Sequence, residues 1–314
     1  MSDVIPPAAP REQPVSPPPL PEAAIPELLA LLAATAQELT RYYDLGDDLD
    51  VERKADKSPV TEADLAAHTA LARGLAALAP GIPILSEESS VGDISGRRGW
   101  PACWVVDPLD GTREFLGRTG EFTINVALVV DHNAVLGAIA VPLQSQCFLG
   151  IPGQGAWRCR GSRFEQVESL SRTAPVADAI RMLASKRHSE TRVQALVNAL
   201  SSSGLPVERV DAGSALKFCA LLEGDGDIYP RTSPCYEWDV AAGDALVRAA
   251  GGVLLGEGAV PMRYNARDTL LVDYFAAASG PGARWLPLVP GMECLSATSF
   301  RSDTLEPDRE PAND

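Results

Sequence analysis

Apolar residues recur every three or four positions in two segments near the start of the chain. They do so over 25–43 and over 61–78, a spacing that predicts two amphipathic helices. Shorter runs follow that are rich in β-branched residues and bounded by Gly, Pro, Asn or Asp, which predicts a sheet with hairpin links. A hairpin turn is predicted at 131–133. The predicted strands span residues 82–85, 103–106, 123–130 and 135–141.

In the second half of the chain, strand-like and helix-like segments alternate. The predicted strands span 181–185, 207–210, 227–229 and 253–255. The predicted helices span 190–201, 214–223 and 240–250. We find no internal repeat. The pattern as a whole predicts an α/β (α+β) fold of layered helices and sheets in two subdomains, with a boundary near 165–175.

The two ends of the chain differ in composition from the rest. Residues 1–22 contain eight prolines, a composition that favours an extended, solvated and disordered tail. Residues 291–314 are mostly polar or acidic and predict a second tail. The organisation that we expect is therefore a subdomain over 23–168 and another over 169–290, flanked by the two tails.

The charge of the chain limits its partners. The formal net charge of −15 and the isoelectric point near 4.7 disfavour binding to nucleic acid, whose backbone carries the same sign. The same field repels a small anionic substrate. A site for such a substrate must therefore supply its own positive charge, from metal ions or from Lys and Arg.

The six cysteines form no CxxC pair and the three histidines form no ligand cluster, so zinc and thioredoxin-like chemistry lack their usual spacing. No signal peptide and no apolar run of membrane-spanning length is evident, so we expect a cytoplasmic protein. A peripheral location at the inner membrane and a homodimer both stay open.

The segment 104–112, Trp-Val-Val-Asp-Pro-Leu-Asp-Gly-Thr, carries the strongest chemical signal. It predicts a buried strand that ends at Asp107, with Pro108 stopping the ladder and Asp110 in the following turn. Two carboxylates this close repel each other unless a divalent cation or a proton neutralises them, and hard oxygen ligands suit Mg²⁺. Gly111 leaves backbone N–H groups open at a predicted helix start, where a phosphate can bind. The alternative is an Asx turn with a helix cap.

Other acids occupy comparable positions. Glu87 and Glu88 follow the apolar strand 82–85, Asp64 lies at a helix start, and Asp239 precedes the apolar helix 240–250. Each acid by itself is more typical of a helix cap or a solvated side chain than of a ligand. Their combination favours a metal site.

Together these motifs resemble the lithium-sensitive, magnesium-dependent phosphatases of the inositol monophosphatase superfamily, and within it the bacterial 3'(2'),5'-bisphosphate nucleotidases of the CysQ type. The resemblance spans about 30–285. It implies an αβαβα layered sandwich of the inositol monophosphatase/fructose-1,6-bisphosphatase type, with a metal-binding first subdomain, a substrate-binding second subdomain and the site between them. The segments that carry it are 54–64, 85–88, 104–115, 120–125, 213–219, 229–231 and 238–239.

The resemblance also implies a role for each matching residue. Two or three Mg²⁺ ions are implied, held by the side chains of Glu87, Asp107, Asp110 and Asp239 and by the carbonyl of Leu109. Asp64 and Thr112 resemble the pair that orients or deprotonates the attacking water, and Glu87 counts with them as catalytic. Glu88 is expected to be a second acid outside the ligand set. The implied substrate contacts are Gly111, Thr112, Gly213, Ser214, Lys217, Arg231, Asp239 and His188.

The implied activity is that of a phosphoric monoester hydrolase. It would hydrolyse the 3'-phosphate of 3'-phosphoadenosine 5'-phosphate to give AMP and phosphate, and its sulfated form is a further candidate substrate within sulfur metabolism. Residues 185–188 replace a Ser-Arg-Ser-His-like segment, so contacts to the base and the 5'-phosphate can differ. The alternatives are an inositol monophosphatase or broad sugar-phosphate phosphatase, a structural cation-binding module, and an SH3-ligand role for the proline-rich tail.

Overall fold

The computed structural model describes residues 20, 22–46, 51–53, 59–90, 92, 94–170, 178–185 and 190–292. Six α-helices and sixteen strands occur in these residues. The helices are α1 (Ile25–Leu45), α2 (Glu62–Leu78), α3 (Thr112–Leu116), α4 (Glu190–Ser201), α5 (Leu216–Glu223) and α6 (Glu237–Ala249). The strands are β1 (Val51–Arg53), β2 (Pro59–Thr61), β3 (Ile84–Ser86), β4 (Ala102–Asp110), β5 (Thr123–Val130), β6 (Asn133–Val141), β7 (Gln146–Ile151), β8 (Gly155–Arg160), β9 (Gln166–Ser169), β10 (Ile180–Ala184), β11 (Val207–Asp211), β12 (Ile228–Arg231), β13 (Cys235–Tyr236), β14 (Val253–Gly256), β15 (Leu271–Val272) and β16 (Phe275–Ala278).

A seven-stranded sheet forms in the first half of the chain, with the strands in sequence order from β3 to β9. Strands β3 and β4 run parallel, and every later neighbour runs antiparallel. The turn between β5 and β6 contains Asp131 and His132 at φ of 48° and 68°, the left-handed backbone that a tight hairpin needs. The predicted hairpin is therefore confirmed.

A five-stranded sheet follows, in the order β11-β10-β12-β16-β14. Strand β10 pairs parallel with β11 and β12, whereas β16 lies antiparallel between β12 and β14. The short strands β1–β2 and β13–β15 form two further antiparallel pairs.

The helices and sheets stack in five layers. Helices α1 and α2 cover one face of the larger sheet, and α5 and α6 lie between the two sheets. Helix α4 and the 3₁₀ segment Pro281–Leu288 cover the outer face of the smaller sheet. Contact between α6 and the larger sheet requires glycine at position 137, where a Cβ would lie 2.2 Å from the carbonyl oxygen of Ala242. The predicted αβαβα sandwich is confirmed.

Strand β4 corrects one expectation from the sequence. Pro108 does not end the ladder: β4 continues to Asp110, which pairs with Thr123, and a shift of register separates this pair from the pairing of Asp107 with Asn125. Because a bulge absorbs the residues that cannot pair, a proline is tolerated inside the strand. The bulge sets the positions of both aspartates.

Two helix starts also differ from the sequence prediction. Helix α6 begins at Glu237 rather than 240, so Asp239 is its third residue and does not precede it. Helix α5 begins at Leu216, two residues later than predicted.

The subdomain boundary stays a prediction, and so do the two tails, which lie outside the described residues except for 20, 22, 291 and 292. In the described part of the chain, the helices are too short or too polar to span a bilayer.

Candidate active site

The bulge in β4 brings two carboxylates to one cavity. Asp107 is 1% exposed, and the backbone N–H of Leu109 donates to its Oδ1 at 3.1 Å. Asp110 lies just beyond the bulge and is partly buried. One carboxylate oxygen from each of these residues and one from Asp239 lie within 4.8 Å of one another. Three acids that are far apart in sequence therefore converge.

Neutral donors fix the orientation of Asp110. The amide of Asn125 donates to Asp110 Oδ2 at 3.2 Å, and the hydroxyl of Ser214 donates to the same oxygen at 2.8 Å. Thr123 links these two donors, because its hydroxyl lies 2.9 Å from Asn125 Oδ1 and 2.7 Å from Ser214 Oγ. The contact between Thr123 and Ser214 joins the larger sheet to the loop before α5. Residues from both halves of the chain therefore hold the carboxylate of Asp110.

Asp64 and Asp239 occupy the same position in two helices, the third residue of the first turn. Each accepts a hydrogen bond at Oδ2 from the backbone N–H of its N-cap residue, at 2.8 Å from Thr61 and at 2.8 Å from Tyr236. The helix-cap alternative is therefore correct for both residues. Both also face the acid cluster, which we define as Asp107, Asp110 and Asp239. The Thr112 hydroxyl donates to Asp64 Oδ1 at 3.2 Å, and Asp239 lies with Asp107 and Asp110.

The turn after β3 places Glu87 beside the cluster. The backbone N–H of Glu87 donates to Val106 O at 3.1 Å, which continues the parallel pairing of β3 with β4. His68 of α2 supports this turn, because its Nδ1 lies 2.9 Å from Ser86 Oγ. Ser86 Oγ also accepts from the backbone N–H of Glu88 at 3.3 Å. Glu87 lines the cavity and Glu88 is not among its lining residues.

Electrostatic repulsion within the cluster is strong. Burial raises the pKa of Asp107 well above its usual value, and the charges of Glu87, Asp110, Asp239 and Asp64 raise it further. Burial, followed by the charge of Asp110, raises the pKa of Asp239 to about 7. Within the described ranges, no salt bridge reaches Asp107, Asp110 or Asp239. Among the described residues, negative charge is therefore gathered in one place without a salt bridge to Asp107, Asp110 or Asp239.

Gly111 provides the turn from β4 into α3. Its φ of 93° and ψ of 39° lie in the left-handed region, and a Cβ there would lie 2.9 Å from Glu121 O. Only glycine therefore fits without a shift of the backbone. The turn presents Thr112, the first residue of α3, to Asp64.

A cavity of about 330 Å³ contains most of the predicted site. Its walls also include several residues that the sequence analysis did not assign to the site. The predicted residues that line it are Glu87, Asp107, Leu109, Asp110, Gly111, Thr112, Arg231 and Asp239. The unassigned residues that line it are Arg113, Glu114, Pro234, Cys235, Tyr236 and Trp238.

The remaining predicted residues are not among the lining residues. Ser214 contacts Asp110, and Gly213 packs so closely that a Cβ would lie 3.0 Å from the Cβ of Glu121. Asp64 is connected to the cavity through Thr112. His188 lies outside the described residues, so its predicted role in substrate binding stays a prediction.

Lys217 is buried rather than solvated. It is 2% exposed, and its Nζ donates to Ser214 O at 2.6 Å and to Ala212 O at 3.1 Å. Burial lowers the pKa of Lys217 to about 8. Its visible role is to hold the loop whose Ser214 contacts Asp110, and direct contact with a substrate stays a prediction. Arg231, in contrast, lines the cavity while its Nε donates to Ser233 O at 3.2 Å.

Asn125 is the supporting residue that the sequence analysis left without a role. It is 1% exposed and lies in strand β5, whose other residues are apolar except for Thr123 at its start. A polar residue inside an apolar strand needs a hydrogen-bond partner, and here the partner is Asp110. The sequence signal that could have identified Asn125 is its position as a polar residue within an apolar run.

The donor set fits a hard divalent cation. All the converging atoms are oxygens, the carboxylates lie within 4.8 Å of each other, and they lack a paired cation among the described residues. Oxygen ligands of this kind suit Mg²⁺, whereas Zn²⁺ sites usually include His or Cys. Cys235 lines the cavity, but burial raises the pKa of its thiol, which disfavours a thiolate ligand.

Comparison with known proteins shows the family of the chain. Residues 23–279 match the inositol monophosphatase family, and the chain belongs to that family. It is 36% identical to the 3'(2'),5'-bisphosphate nucleotidase CysQ of Escherichia coli (strain K12) over 233 residues, which are 74% of this chain and 90% of that protein. It is 35% identical to the nucleotidase of the same name from Salmonella typhimurium, over 78% of this chain and 96% of that protein.

The solved structures support the same relationship. CysQ from Bacteroides thetaiotaomicron, a bacterial member of the inositol monophosphatase family, shares 36% sequence identity with a TM-score of 0.70, over 82% of this chain and 97% of that one. The extragenic suppressor protein suhB from Bartonella henselae has a TM-score of 0.67 at 22% identity, over 87% of this chain and 99% of that one, and therefore shows the fold alone.

Proposed function

We propose that this protein is a Mg²⁺-dependent 3'(2'),5'-bisphosphate nucleotidase that hydrolyses the 3'-phosphate of 3'-phosphoadenosine 5'-phosphate to AMP and phosphate. The observation that carries the proposal is the convergence of Asp107, Asp110 and Asp239 within 4.8 Å, without a paired cation among the described residues. The choice of substrate draws on curated CysQ nucleotidases that are 30–36% identical over most of the chain.

The side chains around the cavity would hold the cofactor. Asp107, Asp110, Asp239 and Glu87 are the side-chain ligands that we propose, with the carbonyl of Leu109. Bound Mg²⁺ would neutralise phosphate oxygens, lower the pKa of a bound water and stabilise the leaving alkoxide. The hydrogen bonds from Asn125 and Ser214 keep Asp110 in one orientation, so little of the site has to reorganise.

Asp64 and Thr112 are the residues that we propose handle the attacking water. The Thr112 hydroxyl donates to Asp64 Oδ1 at 3.2 Å, so a water that donates to Thr112 Oγ1 would lie close to a carboxylate that can take its proton. Oδ2 of Asp64 is already engaged by the backbone N–H and the hydroxyl of Thr61, which fixes the carboxylate. The N–H groups at Gly111 and Thr112 are proposed to bind the scissile phosphate. The reaction is direct attack of water on a phosphate monoester, without a covalent intermediate.

Cationic residues near the cavity support a substrate with more than one phosphate. Arg231 lines the cavity, and Lys217 is close enough to Asp110 and Arg231 for their charges to act on it. In a chain of net charge −15, a doubly phosphorylated ligand needs such local positive charge. The sulfated form of the nucleotide is a second candidate substrate, and a role in sulfur metabolism belongs to the same proposal.

The test is a phosphate-release panel with purified protein and Mg²⁺. The substrates are the bisphosphate nucleotide, its sulfated form, inositol 1-phosphate and fructose 1,6-bisphosphate. We expect the bisphosphate nucleotide to have the highest kcat/KM, and EDTA to abolish release. Preference for inositol 1-phosphate would replace the proposal with an inositol monophosphatase. Release that EDTA does not change would overturn the metal-dependent mechanism.

A further inference from the structure

Tyr236 is the most exposed aromatic side chain in the part of the chain that the structure describes. It is 38% exposed, whereas the other described aromatic side chains are buried or partly buried. It lines the cavity that also contains Asp107 and Asp239. Tyrosine combines a large flat apolar surface with a low entropy cost of ordering, so an exposed ring beside a ligand cavity is a candidate contact for a flat ligand group.

The ring is held in place before any ligand arrives. The backbone N–H of Tyr236 donates to Asp239 Oδ2 at 2.8 Å, and Tyr236 pairs with Leu271 in the two-stranded β13–β15 ladder. The next residue, Glu237, is anchored through its backbone N–H to Leu270 O at 2.9 Å. A ligand that contacts Tyr236 therefore has little backbone motion to suppress.

Trp238 covers one face of the Tyr236 ring. The two rings are stacked, with centroids 4.7 Å apart and an angle of 15° between their planes. The solvent exposure of Tyr236 therefore belongs to its edge and its other face. Tyr236 therefore presents an uncovered flat surface. It lines the same cavity as Asp239, which we propose as a metal ligand and which lies three residues later in the chain.

We infer that the uncovered face of Tyr236 stacks on the base of the nucleotide substrate, and that Tyr236 thereby distinguishes a nucleotide from a phosphate ester without a base. The inference rests on the proposed function and specifies how the same site selects its substrate. Stacking uses the π-face that every base has, so Tyr236 favours nucleotides as a class and does not identify a particular base. A sugar phosphate or an inositol phosphate offers no such face.

Binding of AMP and of ribose 5-phosphate tests the inference, because these ligands differ by the base. Their Kd values would be measured by calorimetry with Mg²⁺ present, in the wild type and in the Tyr236→Ala and Tyr236→Phe variants. Loss of one base–aromatic stack typically weakens binding by about tenfold or more. We expect Tyr236→Ala to reduce the preference for AMP over ribose 5-phosphate by about this factor, and Tyr236→Phe to keep the preference within about twofold of the wild type.

Two results would overturn the inference. Equal weakening of both ligands in Tyr236→Ala would mean that the ring only supports the start of α6. Loss of the preference in Tyr236→Phe would mean that the hydroxyl, rather than the face, recognises the ligand. Failure of the proposed function is separate, because it would appear as absent hydrolysis of the bisphosphate nucleotide by the wild type, whatever the variants do to AMP binding.

Discussion

Buried acids in two regions of this protein have opposite surroundings. At the smaller sheet, Asp227 lies just before β12 and accepts from Arg181 at both of its oxygens, from Nη2 at 2.9 Å and from Nε at 3.1 Å. In α6, Asp244 is paired with Arg248 at 3.0 Å. At the cavity, Asp107 is equally buried, but the charged groups that act on it among the described residues are other acids.

We interpret the difference as a division between acids that serve the fold and acids that we propose bind a ligand. Burying a charge without a partner is costly, so a buried acid with a structural role is normally paired. Asp227 follows this rule. Among the described residues, Asp107 has no salt bridge, and Asp239 has only the longer-range attraction of Arg231. Both acids line a cavity that is open to solvent, which is the arrangement expected where a cation from solution completes the site.

The largest predicted effect is on catalysis. Asp107→Asn removes a charge from the proposed ligand set, and metal-ion stabilisation of a transition state is worth several kcal/mol. We therefore expect kcat to fall by about a thousandfold or more at saturating Mg²⁺. Asp225→Asn is the matched control, because Asp225 is exposed and lies outside the cavity lining. Activity of Asp107→Asn within about tenfold of the wild type would remove Asp107 from the site.

The second prediction concerns stabilisation by the metal. A ligand that binds only the folded state at 100 times its Kd adds about 2.7 kcal/mol to the free energy of unfolding. We expect a gain of this size when Mg²⁺ is added to EDTA-treated wild type, and little gain in Asp107→Asn. Urea unfolding at fixed pH and ionic strength measures both. If the two proteins gain equally, the ion binds somewhere other than this cluster.

The third prediction is that one chemical change has opposite effects on stability in the two regions. Asp227→Asn removes charged hydrogen bonds to Arg181 and should lower the free energy of unfolding by about 2 kcal/mol. Asp107→Asn in EDTA at pH 7.5 should raise it by about 1 kcal/mol, since it relieves repulsion among the acids. Urea unfolding with and without Mg²⁺ separates these effects. A loss of stability in both variants would contradict the comparison.

Much of this contrast is visible in the sequence because the site residues follow strong local signals. Asp107 and Asp110 flank a proline at the end of an apolar run, and Asp64 and Asp239 lie at helix starts. The pairing of Asp227 with Arg181 and the support that Asn125 gives to Asp110 depend on contacts between distant segments. Local pattern can mark Asn125 as a polar residue within an apolar run, but it does not identify the partner of either residue.

The strands that sequence analysis missed have weak local signals. Strands β7 and β8 are interrupted by Gly, Gln or Arg, and β9 is exposed along its whole length. Strand β16 is Phe-Ala-Ala-Ala, without a β-branched residue, and its place between β12 and β14 comes from burial between neighbours. These elements are set by tertiary pairing and not by intrinsic preference.

The smallest predicted effect is on the pH dependence of stability in the metal-free protein. Burial raises the pKa of Asp239 from 3.8 to about 7, and the pKa of Asp107 moves in the same direction. Between the unfolded and the folded pKa, the folded chain binds more protons than the unfolded chain. The free energy of unfolding therefore falls as the pH rises through this interval.

Urea unfolding in EDTA at pH 5 and pH 7.5 measures this slope, with wild type and Asp107→Asn compared. Burial also raises the pKa values of Glu237 and Asp244, and their contribution to the slope has the same sign in both proteins. The difference in slope between the wild type and the variant therefore isolates the contribution of the acid cluster. We expect the wild type to lose at least about 1 kcal/mol more than the variant over this range. Excess Mg²⁺ should remove the difference, because the cation then takes the place of the bound proton. Equal slopes in EDTA would mean that neither burial nor the neighbouring acids raise the pKa of Asp107, and the contrast with the paired Asp227 would lose its electrostatic basis.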